Sequence, residues 1–466
     1  MKVLKFGGSS VANPAVINKV ISIVCDEASR SEDLWIVISA QSGITNQLVQ
    51  LCDFIVTDPE KCEGIIRSIE ERHINTARAL LPAGNQPEVI AEILALCNRL
   101  NELVKGASLV GEVTPRTKDL VLSFGERLSA SLMYLILKHK IPSVQLADST
   151  KLIRTDSQFG NARVDFGATN RLLEEYYGLR KGVRVAAGFI AASVRNEITT
   201  LGRNGSDYSA SIIGAALGAE AIEIWTDTDG VMSSDPALVA GARNIRQLTY
   251  SEAMELSHFG ARIIFPASLQ PAMQIGIPLV IKNTFNPSHP GTRICSEPLS
   301  EGAYIKGISS LRNISIINVE GCGMVGVAGI AARMFTALSA GRISVIMISQ
   351  ASSEHSICIT VSGDEASTAT RILRETFFEE LRTGLISTVT CEDNLAIISV
   401  VGENMRNMPG VAARVFEPMG KNGINIKVIS QGSSELNISF VVREHDLGPA
   451  LNILHNEMFE KIEVQG

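Results

Sequence analysis

The chain has 466 residues, which is too long for one compact core and enough for two to four domains of ordinary size. Hydrophobic residues make up 45% and charged residues 20%, a composition that excludes an intrinsically disordered chain. The net charge is −7, from 42 Lys and Arg against 49 Asp and Glu, and no block of like charge argues for nucleic acid or an anionic membrane as a partner.

Targeting and metal signatures are also missing from the sequence. No apolar run approaches the ~18 residues of a membrane span. The first six residues, 1–6, lead directly into a predicted strand and lack the pattern of a signal peptide. The eight cysteines are scattered without a CxxC pair, which argues against a disulfide framework or a zinc site. We therefore expect a cytoplasmic protein with reduced thiols and no membrane contact.

Residues 1–295 alternate strand-like apolar runs with helical segments. The predicted strands cover residues 3–6, 35–39, 183–189, 222–226 and 278–281. This rhythm predicts a mostly parallel sheet covered by helices on both faces, a three-layer αβα domain of the α/β class. A helical insert is expected at about 58–122, and the Pro- and Gly-rich run 286–302 marks a domain boundary.

The remaining chain contains an internal repeat. Residues 318–361 align without gaps on 399–442 at a constant offset of 81 residues, as Arg333/Arg414 and Gln350/Gln431 illustrate. Each copy is predicted to run strand, helix, strand, strand, helix, which indicates a small α+β domain with helices on one face of its sheet. We expect one such domain at 303–390 and a second at 391–466, and the two can interleave.

Polar and glycine-rich loops follow several predicted strands of the first region. A parallel sheet binds its ligands at the carboxyl ends of its strands. Lys5 precedes Gly7, Gly8 and Ser9, whose backbone N–H groups and hydroxyl could approach an anion. A tight turn with a surface lysine is the alternative interpretation. Ser39 and Thr45 follow the next strand, where either could simply cap a helix.

Two further loops carry charged residues. Glu126 stands beside a glycine at a predicted helix start, so it could receive a substrate ammonium or simply favour the helix dipole. Arg203, Ser206 and Asp207 lie between glycines ahead of an alanine-rich helix, a pattern that packing alone explains poorly. Arg binds carboxylates in a bidentate manner, and Asp can orient a lysine or hold a metal.

Other phosphate-binding and dinucleotide signatures are weak or missing. Neither a GxxxxGK[ST] loop nor the HRD and DFG motifs of protein kinases occurs. Residues 321–326 form a literal GxGxxG, yet the next predicted strand ends in Gln350 rather than in an acid. The second copy has also lost those glycines. Both observations favour a structural role over dinucleotide binding.

Seven segments in chain order carry a resemblance to a known family. They are KFGGSS (5–10), VISAQSGITNQL (37–48), SFGERLSA (123–130), LGRNGSDYSA (201–210), WTDTDGV (225–231), MELSHFGARIIFP (254–266) and KNTFNPSHPGT (282–292). Together they resemble aspartokinases of the amino-acid kinase superfamily. The duplicated unit looks like that family's tandem ACT regulatory domains. The SQxSSExxI segment of both copies is most similar to bifunctional aspartokinase–homoserine dehydrogenases, so the chain is either monofunctional or a fragment.

The resemblance implies that ATP phosphorylates the β-carboxylate of L-aspartate, giving 4-phospho-L-aspartate on the way to lysine, threonine, methionine and isoleucine. Arg203 would hold the substrate α-carboxylate and Glu126 its ammonium. The other residues of the aspartate pocket would be Ser39, Thr45 and Ser206. Lys5 would neutralise charge on the transferring phosphoryl group, and Asp207 would orient Lys5.

The resemblance also assigns residues to ATP, with Mg²⁺ bridging its phosphates. These residues are Gly7, Gly8, Ser9, Thr226, Asp227, Met232 and Arg262. The sequence departs from the family pattern here: Met232 replaces a tyrosine, Ala237 an arginine, Arg262 a lysine and Phe265 a histidine. We therefore expect an active kinase with altered nucleotide affinity. The alternative is a weakened kinase homologue that acts mainly as an amino-acid sensor.

ACT domains bind a feedback amino acid, here with threonine favoured over lysine. The resemblance makes Gln350, Gln431, Asn425 and Ser344 the candidate allosteric residues. Solvation of a sheet edge is the alternative role for the two glutamines. Because ACT units pair their sheets side by side, a homodimer or tetramer is implied.

Overall fold

A computed structural model describes residues 1–31, 33–179, 181–260, 265–298, 304–324, 327–350 and 355–460. The chain divides into two compact units. Unit 1 consists of Met1–Val231, Arg246–Tyr250 and Ile263–Pro298, and unit 2 of Met232–Ile245, Ser251–Arg262 and Leu299–Gly466. Two segments that the sequence analysis assigned to the first domain, 232–245 and 251–262, therefore group with the C-terminal region.

Up to residue 298, helices and strands alternate along most of the chain. The helices are α1 (Pro14–Arg30), α2 (Ile44–Phe54), α3 (Pro59–Leu80), α4 (Gln86–Val110), α5 (Pro115–Lys138), α6 (Ser149–Leu152), α7 (Phe166–Leu179), α8 (Gly205–Ala216), α9 (Tyr250–His258) and α10 (Pro266–Ile275). The strands are β1 (Lys2–Phe6), β2 (Leu34–Ile38), β3 (Gln145–Ala147), β4 (Arg154–Thr155), β5 (Val183–Ala187), β6 (Ile190–Ser193), β7 (Ile198–Thr200), β8 (Ala221–Thr226), β9 (Gln247–Thr249), β10 (Leu279–Asn283) and β11 (Thr292–Cys295).

The main sheet of unit 1 has eight strands in the order β3-β5-β2-β1-β8-β10-β11-β9. The six strands from β3 to β10 in this order are parallel, whereas β11 runs antiparallel to β10 and pairs in parallel with β9. All five residues of β2 are buried, as expected for a central strand covered on both faces. The mostly parallel α/β architecture predicted for this region is confirmed.

Helix α5 corrects one expectation from the sequence. Judged by length and composition alone, it is apolar enough to cross a membrane. However, 83% of its most apolar stretch is buried inside the protein, which is the pattern of a core helix. It packs against α2, α3 and α4 and carries two buried acids, Asp119 and Glu126, spaced seven residues apart on one face.

An ion pair between a buried arginine and a half-buried aspartate lies at the amino ends of β2 and β5. The Arg184 guanidinium is fully buried and donates to Asp33 Oδ1 at 2.9 Å. Asp33 also accepts hydrogen bonds from the Gly182 N–H at 3.2 Å and from the Tyr177 hydroxyl. Trp35 faces the same guanidinium at 5.5 Å. Asp33 therefore joins the start of β2 to the start of β5, at the sheet end opposite the loops singled out above.

Unit 2 contains the two repeats. Its helices are α11 (Ile330–Ala340), α12 (Gly363–Thr376), α13 (Phe378–Thr383), α14 (Val411–Lys421) and α15 (Leu447–His455). Its strands are β12 (Gly307–Glu320), β13 (Met347–Gln350), β14 (Ser356–Ser362), β15 (Thr388–Val401), β16 (Val428–Ser430) and β17 (Asn437–Arg443). They form a six-stranded sheet in the order β13-β14-β12-β15-β17-β16, with every pair antiparallel. This confirms the α+β prediction for the C-terminal region.

The two repeats share their longest strands. Ile308, near the start of β12, packs in the core of the second repeat, whereas Ile317, near its end, packs in the core of the first. Asn313 and Asn394, at equivalent positions 81 residues apart, both adopt positive φ, 54° and 60°. These left-handed residues interrupt β12 and β15 where each strand passes from one repeat to the other. The repeats are thus interleaved.

The GxGxxG segment has a packing explanation. A Cβ on Gly321 would lie 2.3 Å from the Leu385 carbonyl oxygen, and one on Gly323 would lie 2.7 Å from Leu385 Cα. Only glycine permits this backbone approach at the two positions. Gly326 lies outside the described residues. The described glycines are therefore explained by contact with the chain, which agrees with the structural interpretation.

Candidate active site

A cavity of about 870 Å³ opens in unit 1 where β1, β2 and β7 end. Eight of the residues predicted to act on substrate or phosphate line it: Lys5, Gly8, Ser39, Thr45, Glu126, Arg203, Ser206 and Asp207. They come from four separate stretches of the chain. The parallel strands β1 and β2 end side by side, which brings the stretches of Lys5 and Ser39 together, as expected for an α/β sheet. Glu126 reaches the cavity from α5, and Arg203 from the loop after β7, which pairs antiparallel with β6.

Lys5 and Asp207 form an ion pair in this cavity, with Nζ and Oδ1 2.5 Å apart. Both residues are buried, at 8% and 6% exposure. Lys5 is the fourth residue of β1, and Asp207 lies in the first turn of α8, where the helix dipole favours an acid. A Cβ on Gly7 would lie 3.3 Å from Lys5 Nζ, so the glycine leaves the ammonium room. Asp207 thus orients the Lys5 ammonium at the wall of the cavity.

Glu126 is buried in the middle of α5, and its environment differs from the expected one. The prediction that it stands at a helix start is wrong, because α5 begins eleven residues earlier at Pro115. Gly125 suggested a helix boundary. Instead, Gly125 allows α5 to pack closely against Ala40, because a Cβ at this position would lie 2.9 Å from Ala40 Cβ. The helix-dipole explanation for this acid therefore fails.

The Glu126 carboxyl is only partly satisfied by the protein. Oε1 accepts a hydrogen bond from the Ala40 N–H at 3.2 Å, while Oε2 has no hydrogen-bond partner among the described residues. Burial raises the pKa of this carboxyl to about 8. A cation placed against Oε2 would supply the missing partner and favour the ionised form. The site is thus suited to an ammonium group.

Loop residues complete the substrate side of the cavity. Arg203 is exposed to the cavity mouth, between Gly202 and the left-handed Asn204. Ser206 is buried and packs closely on Gly188, where an added Cβ would lie 2.6 Å from the Cβ of Ser206. Neither Ser39 nor Thr45 caps α2, whose N-cap is Gly43 with no side-chain hydrogen bond. The capping alternative for these two hydroxyls is therefore wrong.

Gly8 is the one predicted nucleotide residue, among those that the structure describes, that lines this cavity. The Gly7 N–H donates to the Trp225 carbonyl at 3.2 Å, which brings the β1 loop next to Thr226 and Asp227 at the end of β8. Ser9 lies in the short helical turn after β1. Met232 belongs to unit 2, where it pairs with Asn244. Arg262 lies outside the described residues. The nucleotide roles stay predictions.

The predicted allosteric residues are all exposed in unit 2. Gln350 and Asn425 line a second cavity, of about 850 Å³, together with residues of β12, β15 and β16. Gln431 follows the end of β16, and Ser344 lies between α11 and β13. The latter two do not line this cavity. The structure thus brings one residue of each repeat to a common cavity.

Several residues that line the first cavity were missed from the sequence. Asp119 reaches it from α5, Phe159 from a turn and Thr200 from the end of β7. Gln41 is 1% exposed, and neither of its amide atoms has a hydrogen-bond partner among the described residues. A signal existed for Asp119, because it lies seven residues before Glu126 and so on the same helix face.

Comparison with known proteins agrees with this arrangement. The amino acid kinase family matches residues 1–283, and the ACT domain matches residues 317–377 and 398–458. The chain is 35% identical to bifunctional aspartokinase/homoserine dehydrogenase 2 of Arabidopsis thaliana, over 98% of this chain and 50% of that protein. It is 34% identical to aspartokinase 2 of the same plant, over 98% of this chain and 84% of that one. The chain thus spans about half the length of the bifunctional relatives.

Solved structures show the same likeness over the full fold. Aspartokinase III of E. coli in complex with aspartate and ADP superimposes with a TM-score of 0.81 at 29% identity, covering 98% of this chain and 100% of that one. The same enzyme with lysine and aspartate gives a TM-score of 0.79. With the kinase match covering more than half the chain, the protein belongs to the amino acid kinase family, among its aspartokinases with tandem ACT domains.

Proposed function

We propose that this protein is an aspartate kinase that transfers the γ-phosphoryl group of ATP to the β-carboxylate of L-aspartate. The observation that carries the proposal is that Lys5, Asp207, Glu126 and Arg203 line one cavity. An amino acid needs a partner for its ammonium and one for its α-carboxylate, and phosphoryl transfer needs a cation near the transferring group. The cavity offers all three.

The chemistry follows from these positions. Arg203 would pair with the α-carboxylate, and Glu126 Oε2 with the ammonium. The β-carboxylate is then left free as the nucleophile. One of its oxygens attacks the γ-phosphorus, and the bond from that phosphorus to the β,γ-bridging oxygen breaks, so that ADP leaves with the electron pair. Lys5, held by Asp207 at 2.5 Å, would neutralise the negative charge of the phosphoryl group in transit.

A magnesium ion fits this site only as a companion of the nucleotide. Among the described residues, no group of three or more His, Cys, Asp or Glu side chains could hold a metal ion. Mg²⁺ typically binds through one or two carboxylates together with substrate phosphates, and Asp207 is a buried carboxylate at the phosphoryl end of the cavity. When bound there, Mg²⁺ would neutralise phosphate charge.

The test is a coupled assay of ADP formation with and without L-aspartate at millimolar ATP. We expect aspartate-dependent ADP formation in the wild type. Lys5→Met should lower kcat by roughly 100-fold or more because one transition-state cation is lost. Lys61→Met, on the exposed surface of α3, is the matched control and should leave kcat unchanged. If the wild type forms no ADP in response to aspartate, the amino-acid sensor alternative is favoured instead.

We also propose feedback inhibition by an amino acid, with threonine favoured over lysine, through unit 2. The 850 Å³ cavity shared by Gln350 and Asn425 supports this assignment, since side-chain amides can bind the hydroxyl, ammonium or carboxylate of an amino acid. We expect threonine to inhibit and lysine to have no effect. Gln350→Ala should abolish the inhibition, whereas Gln274→Ala, an exposed glutamine on α10, should preserve it. Inhibition that persists in Gln350→Ala would contradict the assignment.

The proposed assembly is a homodimer or tetramer formed through the ACT repeats. Supporting this, Ile348 on β13 and Ile429 on β16 occupy equivalent positions of the two repeats and are 50% and 47% exposed. Both strands lie at edges of the six-stranded sheet, where another strand can pair. Sedimentation of the wild type and of Ile348→Lys would test this, with a shift toward monomer expected for the variant. The cytoplasmic location expected from the sequence stays a prediction.

A further inference from the structure

Asp119 is a buried carboxylate to which the mechanism above gives no role. It is 1% exposed and lies two helical turns before Glu126 on α5. Its Oδ2 accepts hydrogen bonds from the backbone N–H of Gly160 and of Thr200, each at 2.9 Å. Its Oδ1 accepts from the Thr200 hydroxyl, also at 2.9 Å. One side chain thus holds two segments that are 41 and 81 residues away in the chain.

These two segments form the wall of the first cavity. Gly160 follows Phe159, and both line the cavity. Thr200 ends β7 and stands three residues before Arg203. The segments are also bonded to each other, because the Ala162 N–H donates to the Thr200 carbonyl at 2.9 Å. Asp119 is therefore the point where α5, the 159–162 segment and the start of the Arg203 loop meet.

The other attachments of the Arg203 loop are few. Arg203 and Asn204 are exposed, and Gly202 adopts a φ of +73°. The Leu201 N–H donates to the Phe189 carbonyl at 2.9 Å, and Gly202 packs so closely on Asn161 that a Cβ would lie 2.4 Å from its Oδ1. Thr200 lies two residues before Gly202 and is held through a side chain: Asp119 accepts hydrogen bonds from both its backbone N–H and its hydroxyl.

We propose that Asp119 is a positioning residue for the amino-acid substrate: it fixes the Phe159 and Arg203 loops at the distance that the substrate α-carboxylate requires. This inference rests on the proposed kinase function and extends it. Asp119 itself need not touch the substrate. Its three hydrogen bonds act through Thr200 and Gly160, and so on the aspartate side of the cavity. Lys5 and the β1 loop, on the phosphoryl side, receive none of these bonds.

The test compares variants that remove and restore the acceptors. Asp119→Ala removes all three hydrogen bonds, and we expect the KM for aspartate to rise by tenfold or more while the KM for ATP stays within twofold. Asp119→Asn keeps one carbonyl oxygen for both backbone N–H groups, and the Thr200 hydroxyl can turn to accept from the new amide. We therefore expect Asn to restore the aspartate KM to within threefold of wild type. Thr200→Val, which loses one bond, should fall between them.

Asp33→Asn is the matched control. Asp33 is also a carboxylate that accepts three hydrogen bonds, from Gly182, Arg184 and Tyr177, but it lies at the amino ends of the strands. The Asp33→Asn substitution should lower the melting temperature and leave the KM values for aspartate and ATP unchanged. If Asp119→Ala behaves in the same way, or raises both KM values together, or is not rescued by Asn, the proposal is wrong. A wild type without aspartate-dependent activity would instead refute the proposed function.

Discussion

The buried carboxyl of Glu126 makes the stability of unit 1 depend on pH in a defined direction. Burial raises its pKa in the folded protein to about 8, from the ordinary value of 4.5. Between these two values the folded protein keeps the proton and the unfolded chain has released it. The unfolded state then binds fewer protons, so the free energy of unfolding falls as pH rises, by ~1.4 kcal/mol per pH unit. From pH 5 to pH 7 the loss is about 2 to 3 kcal/mol.

Glu126→Gln isolates this contribution because the amide has nearly the same shape and does not titrate. Relative to wild type, we expect the variant to gain stability steadily from pH 5 to pH 8. The chain has two tryptophans, Trp35 and Trp225, and both are buried in unit 1. Denaturant unfolding followed by tryptophan fluorescence therefore reports on unit 1. Glu63→Gln, an exposed acid on α3, is the control and should give a curve parallel to wild type.

Ligand binding adds a second readout. An ammonium against Oε2 lowers the pKa of the carboxyl, so aspartate binding near pH 7 should release a proton from Glu126. Calorimetry in two buffers of different ionisation enthalpy measures that proton, which Glu126→Gln should not release. If the unfolding curves of wild type and Glu126→Gln run parallel between pH 5 and pH 8, the carboxyl is already ionised in the folded protein, and the reasoning from burial is refuted.

Three further substitutions test the site and its frame. Arg203→Ala should raise the KM for aspartate by roughly 10- to 150-fold, the equivalent of a charged hydrogen bond, without changing the melting temperature, because the side chain is exposed. Gly202→Ala should lower unfolding stability by about 1 to 2 kcal/mol, since the position has φ +73° and its Cβ would lie 2.4 Å from Asn161 Oδ1; a neutral result would contradict this. Arg184→Ala should cost about 1 to 3 kcal/mol in denaturant unfolding, because it leaves the half-buried Asp33 carboxylate without its cation, and kinetic constants should not change.

The sequence was sufficient to predict those features that depend on local residue patterns. Lys5 and Asp207 are 202 residues apart, yet each belongs to a short polar, glycine-rich segment at the end of a strand-like run. Such strand ends are where an α/β sheet places its ligands. The duplicated C-terminal region could be predicted for a similar reason, because a constant offset of 81 residues reveals two copies of one unit.

The sequence was insufficient where a residue acts through distant backbone. Nothing near Asp119 indicates that its acceptors meet Gly160 and Thr200, since backbone N–H groups leave no mark in the sequence. Gly125 had the opposite effect: it suggested a helix boundary, although it lies inside α5 and leaves room for the side chains of Ala40 and Leu48. Likewise, local hydrophobicity could not decide that the start of β12 pairs with the end of β15.

The long strands β12 and β15 have a consequence for how this protein can be shortened. Each strand serves one sheet half with its first residues and the other half with its last, on either side of Asn313 and Asn394. Cutting the chain after residue 387 would take β15 from both repeats at once and uncover Ile308 and Ile317 together. We therefore expect neither repeat to fold alone. Gain or loss of a single repeat during evolution would require new packing in the other one.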